Sequence, residues 1–266
     1  MTDQEFVGKV AIVAGGSLGI GLAAARRLAE GGAAVALCGR RAAAVEEAVL
    51  DLRAQGLTAE GMSADVGSDR DVARLVAFTV ERLGGVDILV NSAGIQRYGD
   101  VVQTDEATWD EVFDTNVKGM YLTAHHAIPE MRRRGGGVIV NVSSVQAFAS
   151  QRSVAAYTAS KGAINALTRA MALDHAHEQI RVVAVCPGSI DTPMLRDAAE
   201  LWKGEGTAEA TLASWGRMHP IGRVGTAEDV AELIAFLASA RASFITGSEV
   251  KVDGGLLSQI AVVLPD

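Results

Sequence analysis

The chain has 266 residues, 49% of them hydrophobic and 21% charged, which suits one large α/β domain. A formal net charge of -8 speaks against a nucleic-acid partner, since a polyanion calls for a basic face. The 2 cysteines, Cys38 and Cys186, lie in apolar runs that read as buried strands, so no disulfide framework is expected. The stretch before Val7 carries no basic region followed by an apolar core, and no apolar run has bilayer-spanning length. A cytoplasmic protein with no membrane partner is expected.

The N-terminal half alternates short apolar runs with amphipathic helices. Val10–Ala14 reads as a strand closing on glycines, and Gly19–Glu30 as a helix rich in alanine. A second strand is predicted over 33–38, a helix over Ala42–Ala54, a third strand over 57–63, a helix over 69–82 and a fourth strand over 86–90. The spacing then predicts one long helix over 109–134, bent late by Pro129, and a fifth strand over 138–142. A second long helix over 154–178 and a sixth strand over 181–185 follow. Continuous apolar strands alternating with helices predict a single doubly wound Rossmann-type domain over 1–266, its mainly parallel sheet of about seven strands flanked by helices on both faces. Residues 189–223 mix glycines, prolines and tryptophans with weak periodicity and read as a substrate lid inserted after the sixth strand. The apolar tail 256–264 reads as a subunit contact, hence a homo-oligomer.

Gly15, Ser17, Leu18, Gly19, Ile20 and Gly21 lie between the first strand and the first helix. Glycines there let the backbone turn sharply and approach a pyrophosphate, while free N–H groups and the helix dipole favour its charge. Asp65-Val66 and Asn91-Ser92-Ala93-Gly94 follow the third and fourth strands, where open parallel sheets bind ligands. Asp65 is placed to accept from an adenine amino group, because Ser68 is the better cap for the next helix. The second strand ends on Gly39-Arg40-Arg41 with no acid to repel a 2′-phosphate, so NADP is favoured over NAD, with Arg40 as the phosphate partner and dual use left open.

Tyr157 and Lys161 stand one helical turn apart on one face. A free phenol with pKa ~10 is roughly a thousandfold under-ionised at neutral pH, a handicap of about 4 kcal/mol. One cation at about 4 Å is worth roughly 4 kcal/mol at an effective dielectric near 20, so Lys161 is expected to supply much of the shift that makes Tyr157 a base. Ser144 closes the fifth strand, and Asn116 sits mid-helix, where asparagine needs a reason. No metal is expected: neither His125 and His126 nor His175 and His177 share a helix face.

Together, Gly15…Gly19-x-Gly21, Asn91-Ser92-Ala93-Gly94, Asn116, Ser144, Tyr157-x-x-x-Lys161 and Pro187-Gly188-Ser189-Ile190-Asp191-Thr192 resemble the short-chain dehydrogenase/reductase family over nearly the whole chain. The resemblance implies that Tyr157 exchanges a proton with the substrate oxygen and that Lys161 also bonds the nicotinamide ribose. It further implies that Ser144 orients the substrate oxygen and that Asn116 holds a water in a proton relay. Asn91 would lie by the cofactor ribose, with Ile190 and Thr192 fixing the carboxamide beside Pro187 and Gly188. Two positions depart from the family pattern: Ala14 stands for a threonine and Ser92 for a second asparagine.

Ser143-Ser144-Val145-Gln146, Ile190-Asp191-Thr192-Pro193, His219-Pro220 and Phe244-Ile245-Thr246-Gly247 further resemble the sugar 1-dehydrogenases of that family, of glucose and aldohexose type. That resemblance implies oxidation of an aldose to a lactone by a homotetramer, with Gln146, Arg152, Glu200, Trp215 and His219 beside Ser144 as polyol partners. The alternatives are an NADPH-dependent ketoreductase acting on 3-oxoacyl thioesters or xenobiotic carbonyls, and a non-catalytic nucleotide-binding scaffold or redox sensor.

Overall fold

The apolar runs become the strands of one sheet because their side chains alternate between two covered faces. The computed structural model describes residues 4–259; positions 260–266, most of the apolar tail expected at a subunit contact, lie outside the described residues. In chain order the elements are β1 (Val10–Ala14), α1 (Gly19–Glu30), β2 (Ala34–Gly39), α2 (Ala42–Ala54), β3 (Ala59–Ser63), α3 (Asp69–Leu83) and β4 (Ile88–Asn91). They continue with α4 (Glu106–Phe113), α5 (Gly119–Arg133), β5 (Gly137–Val142), α6 (Ala155–His175) and β6 (Ile180–Pro187). The last are α7 (Pro193–Trp202), α8 (Ala208–Gly216), α9 (Ala227–Ala238) and β7 (Glu249–Val252).

The 7 strands form one parallel sheet in the order β3-β2-β1-β4-β5-β6-β7. Ala11 and Val13 of β1 face α1 and α9, with Ala24, Leu28, Val230 and Ile234 filling that core. Ile12 and Ala14 face the other layer, packed with Leu75 of α3, Ala127 and Ile128 of α5 and Met171 of α6. Strand order reverses direction beside β1, between β1 and β4, and a crevice at such a point is where open α/β sheets hold ligands.

Two departures from the predicted elements bear on the site. The helix expected over 109–134 begins earlier, capped by Asp105, and a π-helical turn at Asp114–Lys118 divides it into α4 and α5. Pro129 lies inside α5 without ending it. The weakly periodic stretch 189–223 folds into α7 and α8, the first opening on Pro193, a residue pre-shaped for a first helical turn. Short helices packed on one another leave little periodic signature. The capping box of Thr226 and Asp229 starts α9, which no expectation had placed.

Candidate active site

The turn between β1 and α1 is shaped by backbone meeting backbone. Gly15 has φ 79°, and a Cβ there would stand 2.5 Å from the Ala93 amide nitrogen, so the turn lies directly against the loop after β4. A Cβ on Gly21 would overlap the Gly15 carbonyl oxygen. The N–H groups of Gly15 and Gly16 both donate to the Cys38 carbonyl at 3.0 Å, which ties the turn to the end of β2. Leu18, at the N-cap of α1, offers no side-chain acceptor, so the first amides of that helix have no side-chain cap. Uncapped amides at the positive end of a helix dipole, in a cradle that any side chain would fill, fit a dinucleotide's pyrophosphate. A Cβ on Gly19 would lie 3.2 Å from the Thr192 methyl, so the turn also meets the segment after β6.

Ser17 closes on β2, its hydroxyl 2.8 Å from where a Gly39 Cβ would stand, and Ser63 donates to the Arg40 carbonyl at 3.0 Å. The side chain of Arg40 is exposed and enters no ion pair among the described residues. Asp65 keeps an exposed carboxylate, one oxygen accepting from the Gly67 N–H at 2.9 Å, while Ser68 caps α3. Val66 is buried against Gly119.

Asn91, expected beside a cofactor ribose, is buried at the end of β4. Its side chain does not reach toward a ribose but turns into the sheet, donating to Asn141 Oδ1 at 2.9 Å and accepting from Thr123 at 2.7 Å. Asn141 in turn donates to Thr168 at 2.9 Å, which completes a buried chain from α5 through β4 and β5 to α6. A buried amide must satisfy both ends, and here it has protein partners at both.

On α6, Lys161 Nζ lies 5.3 Å from the Tyr157 ring centroid and donates to the Val142 carbonyl at 3.0 Å. Both side chains are buried, as is Ser144 at the end of β5. Burial pushes the Tyr157 phenol up to about 12, with the neighbouring Ser144 hydroxyl pulling the other way and the Tyr98 charge adding to the rise. Burial likewise pulls Lys161 down to about 8. Lys161 is expected to supply much of the shift that makes Tyr157 a base; burial, which disfavours both charged forms, acts in the opposite sense. At neutral pH the pair is a protonated phenol beside a protonated amine.

Asn116 explains the π turn. Fully buried, it accepts from the Ile95 N–H at 2.8 Å and donates to the Ile95 carbonyl at 2.9 Å and to Ser160 at 3.0 Å. The helix widens by one residue so that this amide can read the backbone of the loop after β4. With the side chain committed, a relay water would have to be held by the Asn116 main chain. Gly94 fits between them, its Cβ position 3.4 Å from Asn116 Oδ1 and 3.8 Å from Lys161 Nζ.

Known proteins match the chain over nearly its whole length. A family model described as enoyl-(acyl carrier protein) reductase matches residues 14–257. Dehydrogenase/reductase SDR family member 4 from Bos taurus is 40% identical over 253 residues, 95% of this chain and 88% of that protein. The chain belongs to the short-chain dehydrogenase/reductase family. The 2-(S)-hydroxypropyl-CoM dehydrogenase 3 of Xanthobacter autotrophicus is 38% identical over 248 residues, 93% of this chain and 96% of that one. Ligand-free aldohexose dehydrogenase of Thermoplasma acidophilum superposes with a TM-score of 0.91 at 36% identity, covering 99% of this chain and 100% of its own. Like its relatives, this short-chain dehydrogenase/reductase is an oxidoreductase acting on alcohol or carbonyl groups, in a family that uses NAD(P).

Within this short-chain dehydrogenase/reductase the expected polyol partners do not converge. His219 is buried as a brace: its Nδ1 meets the Trp215 carbonyl at 3.0 Å and its Nε2 accepts from the Ser189 N–H at 3.2 Å. With both ring nitrogens used, it has none for a substrate. Glu200 is exposed and paired with Lys203 three residues on, and Arg152 is exposed in the loop before α6. Gln146 stays near Ser144, in the turn Ser144 caps, but its carbonyl accepts from Thr158 at 3.1 Å. Trp215 is half-buried in α8. Thr192 donates to the Ile190 carbonyl at 3.2 Å, Ile190 is buried, and Pro187 and Gly188 close β6 against Val252.

Sequence reasoning missed Tyr98 and Trp202. Their rings meet edge to face with centroids 5.5 Å apart, and the charge of Tyr98 is felt at Tyr157. An aromatic residue four positions after Gly94, in the loop leaving the sheet's carboxyl edge, was the available signal.

Proposed function

We propose that this chain interconverts a ketone and a secondary alcohol with NADP(H). The observation that carries the reading is the buried Tyr157 phenol between Ser144 and Lys161: held up at about 12, it is protonated at neutral pH and poised to give its proton to a substrate oxygen. When bound, the nicotinamide supplies the hydride acceptor or donor. Ser144 orients the substrate oxygen, and Lys161, largely cationic below about 8, stabilises the phenolate left when Tyr157 gives up its proton.

The glycine cradle with the first amides of α1 would take the pyrophosphate, the main chain at Ala93 and Gly94 the ribose side, and Ser17 with Arg40 a 2′-phosphate. Residues 189–223 serve in this reading as the substrate lid. A homotetramer in the cytoplasm belongs to the same proposal, supported by apolar side chains left exposed on three helices, Trp109, Tyr121 and Leu173. Among the described residues no helix is long and apolar enough to cross a membrane.

A second reading, oxidation of an aldose at its anomeric carbon, is favoured by the likeness to aldohexose dehydrogenase at a TM-score of 0.91. The turning away of Glu200 and His219 weighs against it. A panel of ketones, acyl thioesters and aldoses, followed at the nicotinamide absorbance with NADP(H) and NAD(H), tests both. Fastest turnover is expected for NADPH with a ketone. Fastest turnover of an aldose would establish the second reading, and binding of NADPH with no turnover of any substrate would leave a scaffold or sensor.

A further inference from the structure

Helix α7 lies across the site from one end to the other. Its first turn meets the glycine cradle, where the Thr192 methyl stands 3.2 Å from the Cβ position of Gly19. Its last residue is Trp202, whose ring packs against Tyr98 at 5.5 Å and 73°. With 10 residues the helix is about 15 Å long, enough to cross the crevice from cofactor turn to reacting tyrosine.

Tyr98 is held at that far end by the backbone beside it. The Gly99 N–H donates to the Ser153 carbonyl at 2.8 Å, and the Ala155 N–H donates to the Gly99 carbonyl at 3.2 Å. That bridge fastens the loop after β4 to the start of α6, two residues before Tyr157. The phenol of Tyr98 is half-buried, with the Trp202 indole N–H against its oxygen, and lies near enough to Tyr157 for its charge to register there. Trp202 itself is 54% exposed, so part of its ring stays accessible beside Tyr98. Tyr98 is thus rigidly mounted beside the reacting phenol, and Trp202 is mounted on the element that closes the crevice.

We propose that Tyr98 and Trp202 form an aromatic wall that sets specificity, selecting substrates with a flat aryl group on the reacting carbon over substrates with short alkyl groups. The inference rests on the ketone reading above. An aryl ring seated on the two rings gains edge-to-face or offset-stacked contact, and such pairs are worth roughly three- to tenfold in affinity.

The test compares acetophenone with 2-butanone in the wild type, Trp202→Ala and Tyr98→Phe, each with NADPH. The wild type should favour acetophenone in kcat/KM, and Trp202→Ala should lower that ratio roughly three- to tenfold. Tyr98→Phe keeps the ring and should keep most of the ratio, which separates the wall from the hydroxyl. Both variants should retain the wild-type Tm and NADPH affinity, so a fall in the ratio is not a folding effect. A parallel titration in a Tyr157→Phe background reads ketone binding from bound NADPH fluorescence without turnover. If acetophenone binds no tighter than 2-butanone there, or if Trp202→Ala leaves the ratio unchanged, the wall is overturned. Selective binding with no ketone turnover in the otherwise native enzyme would instead uphold the wall and overturn the proposed reaction.

Discussion

At the carboxyl edge of the sheet, the ties are long in sequence: Asn116 to Ile95, Lys161 to Val142, Asn91 to Asn141 and Gly15 against Ala93. In residues 189–223 most side-chain ties are short, Asp191 to Arg196, Glu200 to Lys203 and His219 to Trp215, with Ser189 to His219 the long one. The edge is over-determined, since each polar group is clamped between separate elements and few atoms have room to move. The segment carries its own helices, but it is also fastened to the fold, by the Asp191 N–H on the Gly225 carbonyl at 2.8 Å, the Ile221 N–H on the Gly254 carbonyl at 3.1 Å and the Arg223–Asp229 ion pair. Chemistry that needs fixed distances is expected at the first, and adaptation to substrate at the second.

Tyr157→Phe should have the largest effect. With the phenol gone, kcat should fall roughly 10²- to 10⁴-fold with NADPH binding retained, read by single-turnover kinetics. Undiminished turnover would place proton transfer outside the edge and dissolve the contrast. Next comes Gly21→Ala, whose added methyl overlaps the Gly15 carbonyl; it should cost about 3 kcal/mol in urea unfolding and weaken NADPH binding together. An unchanged midpoint would mean that the turn yields.

Lys161→Met probes the buried amine, and its sign follows from linkage. The Lys161 pKa is about 8 in the fold against 10.5 for an ordinary lysine, so the unfolded chain binds more protons as pH rises past 8. The wild type should therefore gain about 1.4 kcal/mol on the variant between pH 7 and 9, measured as the difference of unfolding free energies. The rise of Tyr157 is common to both chains and cancels in that difference, because its main cause is burial. A constant difference would mean that the amine is hydrated. The smallest effect is expected in the segment: His219→Ala removes two hydrogen bonds and should cost about 1–2 kcal/mol, raising the ketone KM more than it lowers kcat. A collapse of kcat would show that the segment is bound to the edge more tightly than its local ties imply.

The alternation of apolar runs and helices placed six of the strands and their order of appearance, because burial on both faces writes itself into every residue of a parallel strand. Gly15 and Gly21 were legible for a similar reason: where backbone meets backbone, one residue type alone fits. Tyr157, Lys161 and Ser144 were legible because strand ends and helix periodicity bring them to one edge. The direction in which a polar side chain points was not legible. Asn91 faces the sheet interior, and His219 faces its own loop. Either residue has the chemistry to bind a ligand, and only the packed neighbours decide whether its hydrogen bonds are already spent.

By itself, then, the order of residues determined a dinucleotide-type sheet, the glycine turn and the reacting phenol with its amine, all consequences of local pattern and steric limits. Tertiary structure alone placed the Tyr157 phenol in a buried setting that pushes its pKa up. It also decided that Asn116 opens a π turn to read Ile95, and that Trp202 meets Tyr98 across the crevice. Desolvation and contact between distant segments depend on what surrounds a group in space, and no window of sequence contains that neighbourhood.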